Sequence, residues 1–184
     1  MNTTKVNIIN SIAQSYFQFA HQHNGNKNSA LFADIMAVLN CSEADAENYA
    51  STHCNMISFY NALYSTGKIT MVYQDYFREM LNHSFCDNHG FFQQEKDVVC
   101  RTLFGFDFQV LHLPDYNNVL NPENLDKDSA YQMLIHPEAD GSHFITTYID
   151  ENGILMGADT SYRGTPFVVA DKIPANQFGW LLKC

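Results

Sequence analysis

The spacing of apolar positions divides the chain in two. Ile8, Ile9, Ile12, Ala13, Tyr16, Phe17 and Ala20 recur at helical intervals, and so do Leu31, Phe32, Ile35, Met36 and Leu39 beyond a polar loop at 23–28. Ser42-Glu43-Ala44-Asp45 reads as a capped helix start with acids in its first turn, predicting a short helix to about Ala50. Residues 55–64 set Met56, Phe59, Tyr60 and Leu63 on one face, and Gly67 follows where a left-handed C-cap belongs. Residues 71–80 predict a further helix. Beyond Gly105 the period shortens to two at Phe106, Phe108, Val110 and His112. Strands are then predicted over 131–135, 143–149, 154–158, 167–169 and 178–182, with Asp150-Glu151-Asn152-Gly153 as a hairpin turn. All five prolines lie at or after position 114. Helices first and an antiparallel sheet second make the expected class α+β.

Composition narrows the possibilities. A chain of 184 residues without a linker or an internal repeat suits one domain, with a core that needs no disulfide or metal staple. The aromatic share of 14% supplies large apolar side chains for that core, and argues against disorder. Ten basic against twenty acidic residues leave a net charge of −10, the same sign as a phosphate backbone or an anionic membrane, so neither is an expected partner. No apolar run approaches the ~20 residues of a membrane span. Met1-Asn2-Thr3-Thr4-Lys5 lacks the basic-then-apolar pattern of a secretory signal, which makes the cytoplasm the expected compartment. The five cysteines are odd in number and not spaced in pairs, so each is weighed as a free thiol in a reducing environment.

Cys54 follows Ser51-Thr52-His53 and opens a predicted helix. Unpaired backbone N–H groups and the positive end of the helix dipole favour a thiolate at such a place, although a small capping core residue fits it too. His143 opens a predicted strand behind the small pair Gly141-Ser142, and Asp159 ends the returning strand of the same hairpin. A hairpin folded at Glu151-Asn152 makes Asp159 a cross-strand neighbour of His143. Thiol, imidazole and carboxylate then supply a nucleophile, a general base and a group that orients the base. The bland alternatives are a surface strand histidine and a turn acid capping Ser161.

Cys54-Asn55-Met56 at a helix start, Gly141-Ser142-His143-Phe144-Ile145 as a strand, and Ala158-Asp159-Thr160 after the returning strand resemble the papain-like cysteine peptidases. Within that superfamily the pattern is most similar to the bacteriocin-leader (double-glycine) processing peptidases, and the segment 176–182 resembles their closing aromatic strand. The resemblance runs from about Asn48 to Leu182. It implies a papain-like α+β fold, with 1–47 an extra N-terminal helical region and 48–184 the catalytic core. It implies a thiol hydrolase acting on a peptide or protein amide bond, with Cys54, His143 and Asp159 as the triad and no cofactor or metal. Such enzymes often carry a Gln six residues before the nucleophile as an oxyanion donor; Asn48 stands there in this chain. Asn55-Met56 replaces the family's Gly-Pro, and Thr160 replaces a Pro. These departures leave open a deamidase or acyltransferase on the same triad, or a catalytically inactive binding module. The extra helical region suggests a docking surface and a narrow substrate range. A leaderless chain of this type also fits an effector or toxin exported by a specialised route.

Other residues draw blander readings. His53 adjoins Cys54, but consecutive residues at a helix start point apart, so it is expected to line the cleft or face solvent. His83, Cys86 and His89 recur at steps of three, with Asp75 or Cys100 as a conceivable fourth ligand, yet they lack the two spaced pairs of a structural zinc site. Cys184 is expected to be an exposed thiol. There is no glycine loop that cradles phosphate and no nucleotide fingerprint.

Overall fold

A computed structural model describes residues 30–108, 112–137, 141–158 and 166–184. The helical stretch expected over 8–20, the histidines at 21 and 23, and Asp159 lie outside the described residues.

The described chain is α+β, with most helices before the sheet. Helix α1 spans Ala30–Leu39 and α2 spans Glu43–Ala50. Ser42 caps α2 as its sequence implies, its side chain accepting the Asp45 N–H at 3.2 Å. Helix α3 runs Cys54–Ser65. It stops at Gly67, whose φ of +73° only glycine takes without strain. The N–H of Gly67 bonds the Tyr64 carbonyl and that of Lys68 the Leu63 carbonyl, a paired closure of the last turn. Helix α4 spans Tyr73–Asn82, and the short α5, Lys96–Val99, continues into a wider turn over Cys100–Phe104.

The sheet follows: β1 His112–Leu113, β2 Ala130–Ile135, β3 His143–Ile149, β4 Leu155–Ala158, β5 Phe167–Val168 and β6 Phe178–Lys183. Between them lie α6, Tyr116–Leu120, and α7, Val169–Lys172. The strand order is β1-β6-β2-β3-β4-β5, and every described pairing is antiparallel. Two apolar clusters flank the sheet. On one face Phe59, Tyr73, Phe77 and Met80 from the helical layer join Tyr148, Ala158 and Leu182. On the other, Met133, Ile135, Ile145, Ile149 and Leu181 pack with Val119 of α6 and Val169 of α7. Burying side chains of this size stabilises by roughly 1.5–3 kcal/mol each.

Three local expectations are corrected. Residues 106–108 do not form a strand: Phe108 is buried with its ring edge-on to Phe59, 5.4 Å between centroids, so its apolar character serves the helical layer. Val169 begins a turn of helix instead of ending β5. The β3–β4 ladder pairs Thr146 with Ala158 and Ile149 with Leu155, two residues out of the register expected of a hairpin folded at Glu151-Asn152. The cause is the turn. Asp150 Oδ1 accepts the N–H groups of both Asn152 and Ile154, so the chain wraps its carboxylate and Ile154 stays outside β4.

Candidate functional site

The start of α3 is built by contacts from three directions. Behind it, Thr52 donates its hydroxyl to the carbonyl of His89 at 2.8 Å, and the ring of His89 lies edge-on to Tyr49. Beside it, His53 is completely buried, which corrects the expectation of a cleft or solvent position. Its Nδ1 lies 2.8 Å from the Tyr73 hydroxyl and its Nε2 lies 3.1 Å from the Asn88 carbonyl. Burial pushes this histidine down to about 4, so it is neutral at pH 7. A carbonyl can only accept; Nε2 therefore carries the proton and Nδ1 accepts from Tyr73. The His53 ring packs edge-on to Phe77, and a Cβ on Gly90 would come within 3.0 Å of it. Apolar packing and a fully used imidazole explain why His53 turns inward.

In front, α3 sits on the sheet. The Thr146 hydroxyl donates to the Ser58 carbonyl at 3.2 Å, and buried Gln132 donates through Nε2 to the Asn55 carbonyl (2.8 Å) and the Ser58 hydroxyl oxygen (2.7 Å). Ser58 in turn donates to the Cys54 carbonyl at 2.7 Å. The first residue of α3 is thus fixed by its backbone to β2 while its thiol is half-exposed. There is no acid in the helix's first turn.

The other cysteines differ. Cys86, Cys100 and Cys184 are buried, and burial pushes each thiol up to about 12. For Cys184 this corrects the exposed thiol expected from the sequence: β6 carries the chain end under the helical layer, where Sγ lies 3.7 Å from the Leu182 carbonyl. Cys41 is half-exposed, with its thiol raised by burial and then by nearby Asp45.

His143 is the first residue of β3 and is buried. The pleat assigns its side. Thr146 reaches α3, and Phe144 and Tyr148 share its face, whereas Ile145 and the cross-strand partner Ile135 belong to the opposite cluster. His143 goes with Ile135 and Ile145. His143 therefore takes the face of the sheet opposite the one that α3 covers. Asn48 lies on α2 with an exposed side chain, and its backbone carbonyl accepts from Ser51. His83, Cys86 and His89 diverge: His83 bonds the Glu79 carbonyl, Cys86 enters the core, and His89 meets Thr52. Among the described residues no three His, Cys, Asp or Glu side chains gather as a metal site would require.

No pattern in the sequence marks Lys96. Its ammonium lies 5.1–5.7 Å from the ring centroids of Phe59, Phe92, Trp180 and Phe144, and it donates to Gln132 Oε1. Burial lowers it to about 8. The cage draws its rings from α3, β3, β6 and the segment before α5, so no local pattern announces it. Beside it opens a cavity of about 450 Å³, lined by Asn55, Phe92, Lys96, Trp180 and Leu182 with Gln93, Gln94 and Glu95. No described helix is long and apolar enough to cross a membrane.

Compared with protein-family models, with curated proteins and with solved structures, the chain matches none of them.

Proposed function

We propose that the chain is a cysteine-dependent amide hydrolase of papain-like architecture, acting on a narrow range of peptide or protein substrates. The observation that carries this reading is Cys54, a half-exposed thiol on the first residue of a 12-residue helix whose backbone is anchored to the sheet. The order of parts supports it: a helix begun by Cys54, packed on an antiparallel sheet in which a strand begins with His143. In this reading Cys54 Sγ attacks the substrate carbonyl as the thiolate, forming the S–C bond. The carbonyl electron pair moves onto oxygen, where the backbone N–H of Cys54 donates to it, with the Asn48 amide as the second donor. His143 holds the thiol proton and gives it to the leaving amine as the C–N bond breaks. Asp159 orients His143, and water then hydrolyses the thioester.

A non-catalytic binding protein on the same scaffold is the second reading. The side of the pleat that His143 takes favours it, as does Asn55-Met56 after the thiol. Mass spectrometry of treated protein substrates separates the readings. Chain scission that disappears in Cys54→Ser supports the peptidase, and a gain of about 1 Da at a Gln supports a deamidase on the same triad. Partner binding that survives Cys54→Ala, with no substrate changed by wild type, overturns the hydrolase. Rapid digestion of unfolded casein contradicts the narrow range.

A further inference from the structure

Lys96 is a half-buried cation that forms no ion pair: no carboxylate among the described residues lies within ion-pair distance of it, and the neighbouring Glu95 acts on it only from farther away. In a chain with twice as many acids as bases this absence is specific to the site. An ammonium carries three N–H donors, and Gln132 Oε1 takes one. No described oxygen or nitrogen accepts from the other two, and the surrounding rings offer only their π faces. A desolvated charge held this way is stabilised further by an anion that brings its own acceptors. The space for one adjoins it. Its lining is apolar at Phe92, Trp180 and Leu182, carries neutral amides at Asn55, Gln93 and Gln94, and includes one carboxylate, Glu95.

We infer that this cavity binds a carboxylate attached to an apolar or aromatic body, with the carboxylate on Lys96 Nζ and the body against Phe92 and Trp180. A carboxylate suits the site better than a phosphate, because one ammonium and three amides, those of Asn55, Gln93 and Gln94, line the cavity together with the carboxylate of Glu95, which a doubly charged phosphate would meet with more repulsion than a single carboxylate. The carboxylate arrives either on a free small acid or as an acidic side chain of a peptide. The site does not depend on Cys54 acting as a nucleophile, although Asn55 places it next to that thiol.

Trp180 is the sole tryptophan of the chain and lines the cavity, so its fluorescence reports occupancy directly. The full chain is titrated with N-acetyl-phenylalanine as its anion, with the corresponding primary amide, and with the capped dipeptide acetyl-Glu-Phe-amide. The expected result is a saturable change in emission with the carboxylates, about ten-fold weaker for the primary amide and about ten-fold weaker for the carboxylates in Lys96→Met. Tighter binding by the dipeptide assigns a peptide source, and tighter binding by the free acid assigns a small molecule. Wild type alone gives a second measurement: carboxylate binding weakens as pH rises through about 8, where Lys96 loses its charge. The inference is overturned if acid and amide titrate alike, if wild-type binding is flat across that pH range, or if no carboxylate produces a saturable change.

Discussion

The Nδ1 of His53 lies 2.8 Å from the hydroxyl of Tyr73, so the imidazole nearest Cys54 in sequence is committed to the next helix. That bond, with the one to the Asn88 carbonyl, makes His53 a buried neutral strut at the start of α3. It also makes the fold sensitive to acid.

Burial lowers His53 from an ordinary 6.5 to about 4. Between these values the unfolded chain binds a proton that the folded chain refuses. The contribution is therefore fully present above pH 6.5 and lost as pH falls towards 4. Urea unfolding should show wild type losing about 2 kcal/mol between pH 7 and pH 5 beyond any change in His53→Gln. Parallel pH profiles for the two proteins would contradict the neutral strut.

Gly67 and Gly90 share a φ of +73°, but only Gly90 faces a side chain. Alanine at Gly67 meets open space and should cost about 1–2 kcal/mol through backbone strain alone. Alanine at Gly90 adds a contact of 3.0 Å with the His53 ring, so thermal unfolding should place Gly90→Ala clearly below Gly67→Ala. Equal melting temperatures would mean that the ring moves aside.

Gln132 ties Lys96 to the carbonyl of Asn55, and Gln132→Met severs both ends while keeping the volume. The buried acceptors on α3 and the Lys96 ammonium lose a partner together. Chemical denaturation should report a loss of about 2–4 kcal/mol, more than a single exposed hydrogen bond supplies. A change below about 0.5 kcal/mol would show that the helix start is held by other contacts.

Thiol accessibility should sort the five cysteines. In the native chain a small alkylating reagent should modify Cys54 and, more slowly, Cys41, because burial protects Cys86, Cys100 and Cys184 and pushes them up to about 12. All five should react in denaturant. Native labelling of Cys184 would contradict its place beneath the helical layer.

Local signals in this sequence were readable where a few neighbouring residues decide the outcome. Ser42 caps α2, Gly67 closes α3, and the chain turns back between β3 and β4. Features set by distant partners were not. The alternation at Phe106 and Phe108 mimics a strand, but Phe59 captures Phe108. The inward turn of His53 depends on Tyr73, Asn88 and Gly90. The Lys96 cage gathers rings from positions 59 to 180. The two-residue register offset arose because one carboxylate, Asp150, bonds two turn amides at once. At the candidate site, Cys54 opens its helix and His143 its strand as read from the sequence, whereas the side of the pleat that His143 takes became visible only with the cross-strand pairing to Ile135.

The proposed hydrolase depends on Cys54 working with His143, and one rate comparison decides whether they do. Alkylation of Cys54 is followed by mass spectrometry in wild type, His143→Ala and His53→Gln at neutral pH. His143→Ala should slow labelling of Cys54 by about ten-fold or more while its exposure is unchanged, and His53→Gln, which retains His143, should slow it far less. Equal rates in wild type and His143→Ala would contradict the pair, and would leave Cys54 as an accessible thiol at the head of a helix.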